Sequence, residues 1–414
     1  MRLRLLPSLL VILMGWGMNG VNANDNTISP ITYDALNRIQ TLLQEAQYSE
    51  AQQQLDTLID KLNPGFGLAL TYQLYGQYWL SQEQPDKAIS VYQQALALAV
   101  FAPPQESAIL TNVAQIQLSL GDSAAALNTL QEDIPRLLLM EREATRSGSS
   151  SRIVQAPALM TLATALQMQE RFADSIPFLL QAIERTDSVQ ESWLRMLMVA
   201  YFKVNAYSQA ALVLDRLIAM NPEREEYWQQ QTSMYQLLER TDKALRTLEL
   251  GYVGGYLHNA ESVRMLVQLL IAEGIPDRAG RVLVEALQQG KLAEDEANWR
   301  LLAAAWQQSR DRRQAALALR FAVQYADDGV LLLRAAQLFA QDAHHADVLR
   351  VVDEAIEKGL VDDDQGRALM LAGNAAYELQ QMNLSRRYFQ RALRFANVAA
   401  SAREWLNYIA LLEG

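Results

Sequence analysis

The chain has 414 residues, no cysteine and a formal net charge of −11, from 36 basic and 47 acidic side chains. The missing thiols exclude disulfides, thiolate metal sites, a cysteine nucleophile and a lipid-modified cysteine anchor. The acidic balance works against a phosphate-binding surface, which needs clustered positive charge, and the scarcity of glycine (19) and proline (11) favours helix.

Arg2 and Arg4 open the chain, an apolar run follows over residues 5–14, and Val21 and Ala23 stand where a signal peptidase reads small residues. This is the pattern of a cleavable signal peptide over residues 1–23, with cleavage after Ala23. The run is too short to cross a bilayer, which takes about 20 residues. Cleavage would remove Arg2 and Arg4, bring the formal charge to −13 and leave an exported chain, periplasmic in a Gram-negative cell. A segment retained as a membrane anchor is the alternative. A polar tail over residues 24–30 comes next.

The stretch 191–222 carries the pattern around which the rest is arranged. Leu194, Leu197, Met198 and Tyr201 mark one face of a first helix, Ala210, Leu214 and Leu217 one face of a second, and Pro222 ends it. Bulky residues with one small residue in the second helix follow the tetratricopeptide (TPR) pattern. The small residue recurs at Ala51, Ala88, Ala126, Ser175, Ala210, Ala244, Ala279, Ala315, Val348 and Ser385, at gaps of roughly 33 to 38 residues with one exception. The expected fold is all-α, a right-handed TPR superhelix (α-solenoid) of about ten hairpins over residues 31–397, because each hairpin must bury its apolar face on the next. Residues 398–414 read as a capping helix, with Ala399, Ala402, Trp405, Leu406 and Ile409 on one face.

The exception is the gap of 49 residues between Ala126 and Ser175, which holds an insertion over residues 135–155. Its apolar-then-charged start reads as an extension of the second helix of the third hairpin, and residues 146–152 as a mobile polar loop. A tolerated insertion, a partner-contacting projection and a hinge between two sub-solenoids all fit it.

Little in the chain points to chemistry. His258 stands alone, and His344-His345 lie in a turn with Asp342 and Asp347, where adjacent residues rarely converge on one ion. Asp362, Asp363 and Asp364 read as an acidic first helical turn and not a calcium loop, which needs alternating acids and a distant Glu. Gly251, Gly254 and Gly255 follow a helix and lack a nucleotide-binding lysine. Trp79, Trp228, Trp299, Trp306, Tyr201 and Tyr235 stand at packing positions of the repeat. No cofactor, metal or catalytic residue is expected, and an enzyme on an α/α toroid would need paired carboxylates in a closed ring.

Counting along each first helix, the positions facing a concave groove are Gln73, Gln77, Gln115, Thr164, Gln167, Arg195, Gln229, Gln236, Arg264, Gln268, Arg300, Gln307, Gln337 and Asn374. Primary amides donate and accept, so they suit the backbone of an extended peptide of any sequence, and arginines add carboxylate contacts. Glutamine is also simply a good helix former, and that reading stands beside the first. The expected partner is therefore a protein, with no nucleic acid and no membrane span once the signal is removed.

Four segments narrow the resemblance: Glu191-Ser192-Trp193-Leu194, Leu248-Glu249-Leu250-Gly251-Tyr252, Ile275 with Pro276 through Leu283, and Ala402 through Ile409. From about Glu191 onward the chain resembles the exported TPR proteins encoded beside TonB, ExbB and ExbD in gammaproteobacteria; the first half matches only as repeats. The resemblance implies a periplasmic, non-enzymatic accessory to TonB-dependent energy transduction, and supplies no functional residues. A scaffold for envelope assembly or polysaccharide export is the alternative of the same class.

Overall fold

The structure, a computed structural model, describes residues 27–326 and 328–413. The expected signal segment, its cleavage site after Ala23 and the start of the polar tail lie outside the described residues. Within them every regular element is an α-helix, 22 in all, and the chain divides into two compact units at Val189–Gln190. That division falls beyond the insertion.

Unit 1 holds α1 (Pro30–Gln44), α2 (Tyr48–Lys61), α3 (Phe66–Ser81), α4 (Pro85–Ala97), α5 (Pro103–Ser119), α6 (Ser123–Leu130), α7 (Asp133–Arg146), α8 (Ala156–Met168) and α9 (Phe172–Glu184). Unit 2 holds α10 (Glu191–Lys203), α11 (Tyr207–Met220), α12 (Glu225–Leu237), α13 (Thr241–Val253), α14 (Ala260–Ala272), α15 (Pro276–Gln288), α16 (Glu296–Gln308), α17 (Arg312–Ala322), α18 (Gly329–Gln341), α19 (His345–Lys358), α20 (Asp362–Glu378), α21 (Met382–Ala392) and α22 (Ala399–Glu413). Pro30, read from the sequence as tail, is the first residue of α1, where its missing N–H costs nothing and Ser29 caps the helix through the Thr32 N–H.

The same small residue opens the second helix of every hairpin. Each of the ten small residues is the fourth residue of its second helix, and each is fully buried. Five residues earlier the backbone is left-handed in all ten hairpins, at Ala46, Glu83, Gly121, Glu170, Asn205, Glu239, Gly274, Arg310, Ala343 and Gln380, with φ between 54 and 83°. The N–H of the following residue then reaches back to the first helix, as from Ala206 to the Tyr201 carbonyl (2.8 Å) and from Asp311 to the Trp306 carbonyl (2.9 Å). This bond satisfies a carbonyl that the helix end would otherwise leave open. The small residue lets the two axes close. In two hairpins glycine on the first helix allows a closer approach: a Cβ at Gly76 would lie 2.5 Å from the Tyr92 ring, and one at Gly373 2.5 Å from the Phe389 ring. Turn, small residue and bulky neighbours recur together, so the fold is all-α, of TPR-solenoid type.

In unit 2 the buried side chains from Trp228 of α12 to Ile409 of α22 form one continuous core. Successive second helices are tied at the surface: Tyr252 donates to Glu285 (2.8 Å), Arg320 to Glu354 (3.0 Å) and Tyr388 to Asp353 (2.9 Å). Burial and then the Asp353 contact push the Tyr388 hydroxyl up to about 12. The stack ends on α22, which buries Ala402 and Ile409 and stacks Trp405 on Phe389 at 5.4 Å.

The third hairpin departs from expectation. Its second helix is not one long helix: α6 stops at Leu130, and α7 begins afresh at Asp133. Pro135 explains the break. In a continuous helix its ring would clash with the Gln131 carbonyl, whereas in the first turn of α7 its missing N–H has no partner to lose. Residues 152–154 are also fastened. Glu141 of α7 accepts the N–H groups of Ile153 (2.7 Å) and Val154 (2.9 Å) and pairs with Arg185 at 2.8 Å. Arg185 in turn donates to the Val154 carbonyl. Burial works against the Glu141 charge, but Arg185 and the two N–H groups outweigh it and hold the carboxyl below its ordinary range.

Candidate functional site: the exposed stripes of the first helices

Packing against its own second helix and its neighbours leaves each of the first helices α14, α16 and α18 one exposed stripe. On α14 it carries Glu261, Arg264 and Gln268, on α16 Arg300, Ala304 and Gln307, and on α18 Val330, Arg334 and Gln337. Spacings of three and four keep these residues on one face. Bonds between successive first helices set the stripes of unit 2 side by side. Gln229 of α12 donates to Ser262 Oγ at 2.7 Å, and Arg264 Nε of α14 donates to Asn298 Oδ1 of α16 at 3.3 Å.

The expected groove residues divide by unit. In unit 1, Gln73 and Gln77 are half-buried on α3. Gln115 of α5 donates to Thr161 of α8 (3.2 Å), Thr164 gives its hydroxyl proton to the Met160 carbonyl (2.8 Å), and Gln167 donates to the buried Ser175 (3.2 Å). These groups are turned toward the stack itself. In unit 2, Arg195, Gln236, Gln268, Gln307 and Gln337 are exposed, and Arg300 pairs with Glu296 of its own helix at 2.9 Å. Asn374 is half-buried, and its Oδ1 is closed off from solvent without a hydrogen-bond partner among the described residues. Other first-helix amides are structural. Gln231 is buried and donates to the Ala211 carbonyl at 3.1 Å.

Charge on this face is set by which acids are already engaged. Glu191, one turn before Arg195, accepts from Asn221 (2.8 Å) and from the Tyr227 hydroxyl, and lies 3.3 Å from Arg224. Burial, followed by the Glu191 bond, pushes the Tyr227 hydroxyl up to about 12, with Arg224 and Arg195 opposing. Glu225 accepts the N–H groups of His258 (3.0 Å) and Asn259. The Arg195 side chain is thus left without an ion pair or hydrogen bond among the described residues, and so is that of Arg334. Sequence counting passed over Arg334. Arg195, Arg264 and Arg300 each stand fifteen residues before the small residue of their hairpin, but the same count from Val348 reaches Leu333, which is 3% exposed. The arginine is one position further on.

The other side chains singled out in the sequence lie in local packing and pairing contacts. His344 stands edge-on to Phe339 at 6.3 Å, and Asp364 in the first turn of α20 pairs with Arg367 at 2.6 Å. No group of three or more metal-capable side chains lies among the described residues. Trp228 and Trp306 are buried, and Trp299 stacks on Phe321 at 4.6 Å.

No protein-family model matches the chain, and no curated protein matches it. It is similar to solved structures of TPR proteins. One is from Parabacteroides merdae, at 14% identity over 66% of this chain and 94% of that one, with a TM-score of 0.33. Another is the C-terminal part of a TPR repeat-containing protein from Cytophaga hutchinsonii, at 14% identity over 70% and 95%, with a TM-score of 0.36. A third is YrrB, described as a TPR protein with an unusual peptide-binding site, at 14% identity over 48% and 90%, with a TM-score of 0.37. The fold assignment rests on the hairpin geometry and not on these likenesses.

Proposed function

We propose that the protein is a non-enzymatic scaffold that holds a segment of a partner protein along the exposed first-helix stripes of unit 2. The observation that carries this reading is unspent bonding capacity on the exposed first-helix faces of unit 2. The side chains of Arg195, Gln268, Gln307, Arg334 and Gln337 make no hydrogen bond or ion pair among the described residues, yet they stand on first helices of unit 2 on a face that packing leaves open. Amides that donate and accept suit a main chain, and guanidinium groups suit carboxylates. A photo-crosslinking residue at Gln268 or Gln307 is expected to capture one protein in living cells, while the same residue at Leu212 or Leu250, exposed on second helices, captures none. Adducts only from the second helices would overturn the reading.

The finer proposal is that the chain works in the periplasm as an accessory of a TonB–ExbB–ExbD system. Its support is the basic-then-apolar N-terminus with Ala23 at a cleavage position, and the four segments between Glu191 and Ile409 that resemble the exported TPR proteins of that gene neighbourhood. Mass spectrometry of the protein from its native cell is expected to find Asn24 at the N-terminus; a chain that keeps Met1 would contradict export by cleavage. Loss of the protein should slow TonB-dependent uptake, and unchanged uptake would detach it from that system.

A further inference from the structure

A cavity of about 460 Å³ in unit 2 is lined by Asp277, Arg281 and Glu285 of α15, Trp306 of α16, Asp311 of the turn that follows, and Gln314 of α17. Its size is within the range of small-molecule sites. Local sequence brings these groups together. Asp277, Arg281 and Glu285 stand at intervals of four, on one face of α15. Gly280 beside them lets the Trp306 indole lie against that helix, since a Cβ there would be 2.8 Å from the ring. The left-handed turn at Arg310 folds Asp311 back, so that its N–H reaches the Trp306 carbonyl at 2.9 Å. Counted from the small residue, an aromatic side chain nine positions before and an acid four positions before coincide only in this hairpin of the ten.

Three carboxylates line the cavity against one guanidinium. Arg281 pairs with Asp277 Oδ2 at 2.8 Å. Glu285 accepts from the Tyr252 hydroxyl (2.8 Å) and the Gln289 amide (2.9 Å), and Asp311 Oδ1 accepts the Gln314 N–H at 3.0 Å. Asp277 Oδ1 and Asp311 Oδ2 keep no partner among the described residues. Arg310 and Arg313 are near in sequence but do not line the cavity. Trp306 is 8% exposed, and its indole N–H makes no hydrogen bond among the described residues. A buried donor and the free carboxylate oxygens thus open on one space. No three metal-capable side chains converge among the described residues, so the acids suit an organic cation. We propose that this cavity binds an alkylguanidinium group, as an arginine side chain of a partner or as a free guanidine. A planar guanidinium stacks on an indole and forks onto carboxylates, which a compact ammonium does not. Asp277 and Asp311 supply the open oxygens, and a carbonyl beside the guanidinium takes the indole N–H. The site is built mainly from second helices and does not rest on the reading given under Proposed function.

The test is NMR titration of the purified protein labelled at its tryptophan indoles, the Trp306 signal being the one that Trp306→Phe removes. Butylguanidinium is expected to move that signal to saturation, and butylurea, neutral and of the same shape, to leave it in place. Asp311→Asn keeps a capping side chain on α17 and removes its charge. It should weaken butylguanidinium about fivefold, the upper range of an exposed ion pair, with the helical circular-dichroism signal unchanged. Acetylarginine amide separates the two sources. Tighter binding than butylguanidinium assigns the site to an arginine of a partner, and equal or weaker binding assigns it to a free guanidine. An unmoved Trp306 signal, an equal response to butylurea, or an Asp311→Asn protein that binds as well as its parent would overturn the inference.

Discussion

The two units are built from the same hairpin and present different faces. In unit 1 the first helix α1 carries Asp34 and Arg38, α5 carries only Glu106, and α3 and α8 carry no charged side chain, whereas in unit 2 every first helix carries at least one charge. Unit 1 turns its polar groups inward, as Gln115 does to Thr161 and Gln167 to Ser175. Unit 2 leaves Arg195 and Arg334 pointing at solvent. Packing register and face chemistry are therefore encoded separately: the buried small residue and left-handed turn keep one period through both units, while the stripe between them varies freely.

The comparison breaks most sharply if the shared packing proves unequal. Gly76→Val in unit 1 and Gly373→Val in unit 2 each drive a side chain into a fully packed ring, and each should lower stability by about 3 kcal/mol in urea unfolding. A large loss in one unit only would show that the hairpins are not equivalent. Next in size is the tie peculiar to unit 1. Glu141→Gln leaves Arg185 without its counter-charge and should cost about 2 kcal/mol at neutral pH. The Glu141 carboxyl is held below its reference value of 4.5 when folded. Its contribution is therefore complete above that pH and is lost as pH falls through the folded value, so variant and parent should converge in acid. A gap independent of pH would mean the charge is not what holds residues 152–154.

The turns give a smaller effect of the same kind in both units. Gly121→Ala and Gly274→Ala place a Cβ on a left-handed backbone and should each cost about 1 kcal/mol, while Arg310→Gly should be neutral or slightly stabilising. Smallest is the effect of the charged stripe on folding. Arg195→Gln and Arg334→Gln should each change stability by less than about 0.5 kcal/mol. A larger loss would mean these arginines pack, as the polar groups of unit 1 do.

The periodic features were legible in the sequence because they repeat. Ten small residues, counted from spacing alone, are all buried at the same point of their helices, since close approach of two axes admits nothing larger at most of those sites. The turn was equally periodic but went unread, because eight of its ten left-handed residues are not glycine and so give no sign of their backbone. Pro135 did signal the break between α6 and α7, but the apolar run after it resembled a continuing helix. The Glu141–Arg185 pair joins residues 44 apart and has no local signature. Arg334 was passed over because a one-residue shift exchanges a buried position for an exposed one on a helix of 3.6 residues per turn.

Charge exchange tests the outward stripe of unit 2 most directly. Replacing Arg195 and Arg334 by Glu should abolish capture of the partner protein by a crosslinking residue at Gln268 in living cells, with the helical circular-dichroism signal unchanged. Undiminished capture by the reversed protein would mean that these arginines are not where a partner is held.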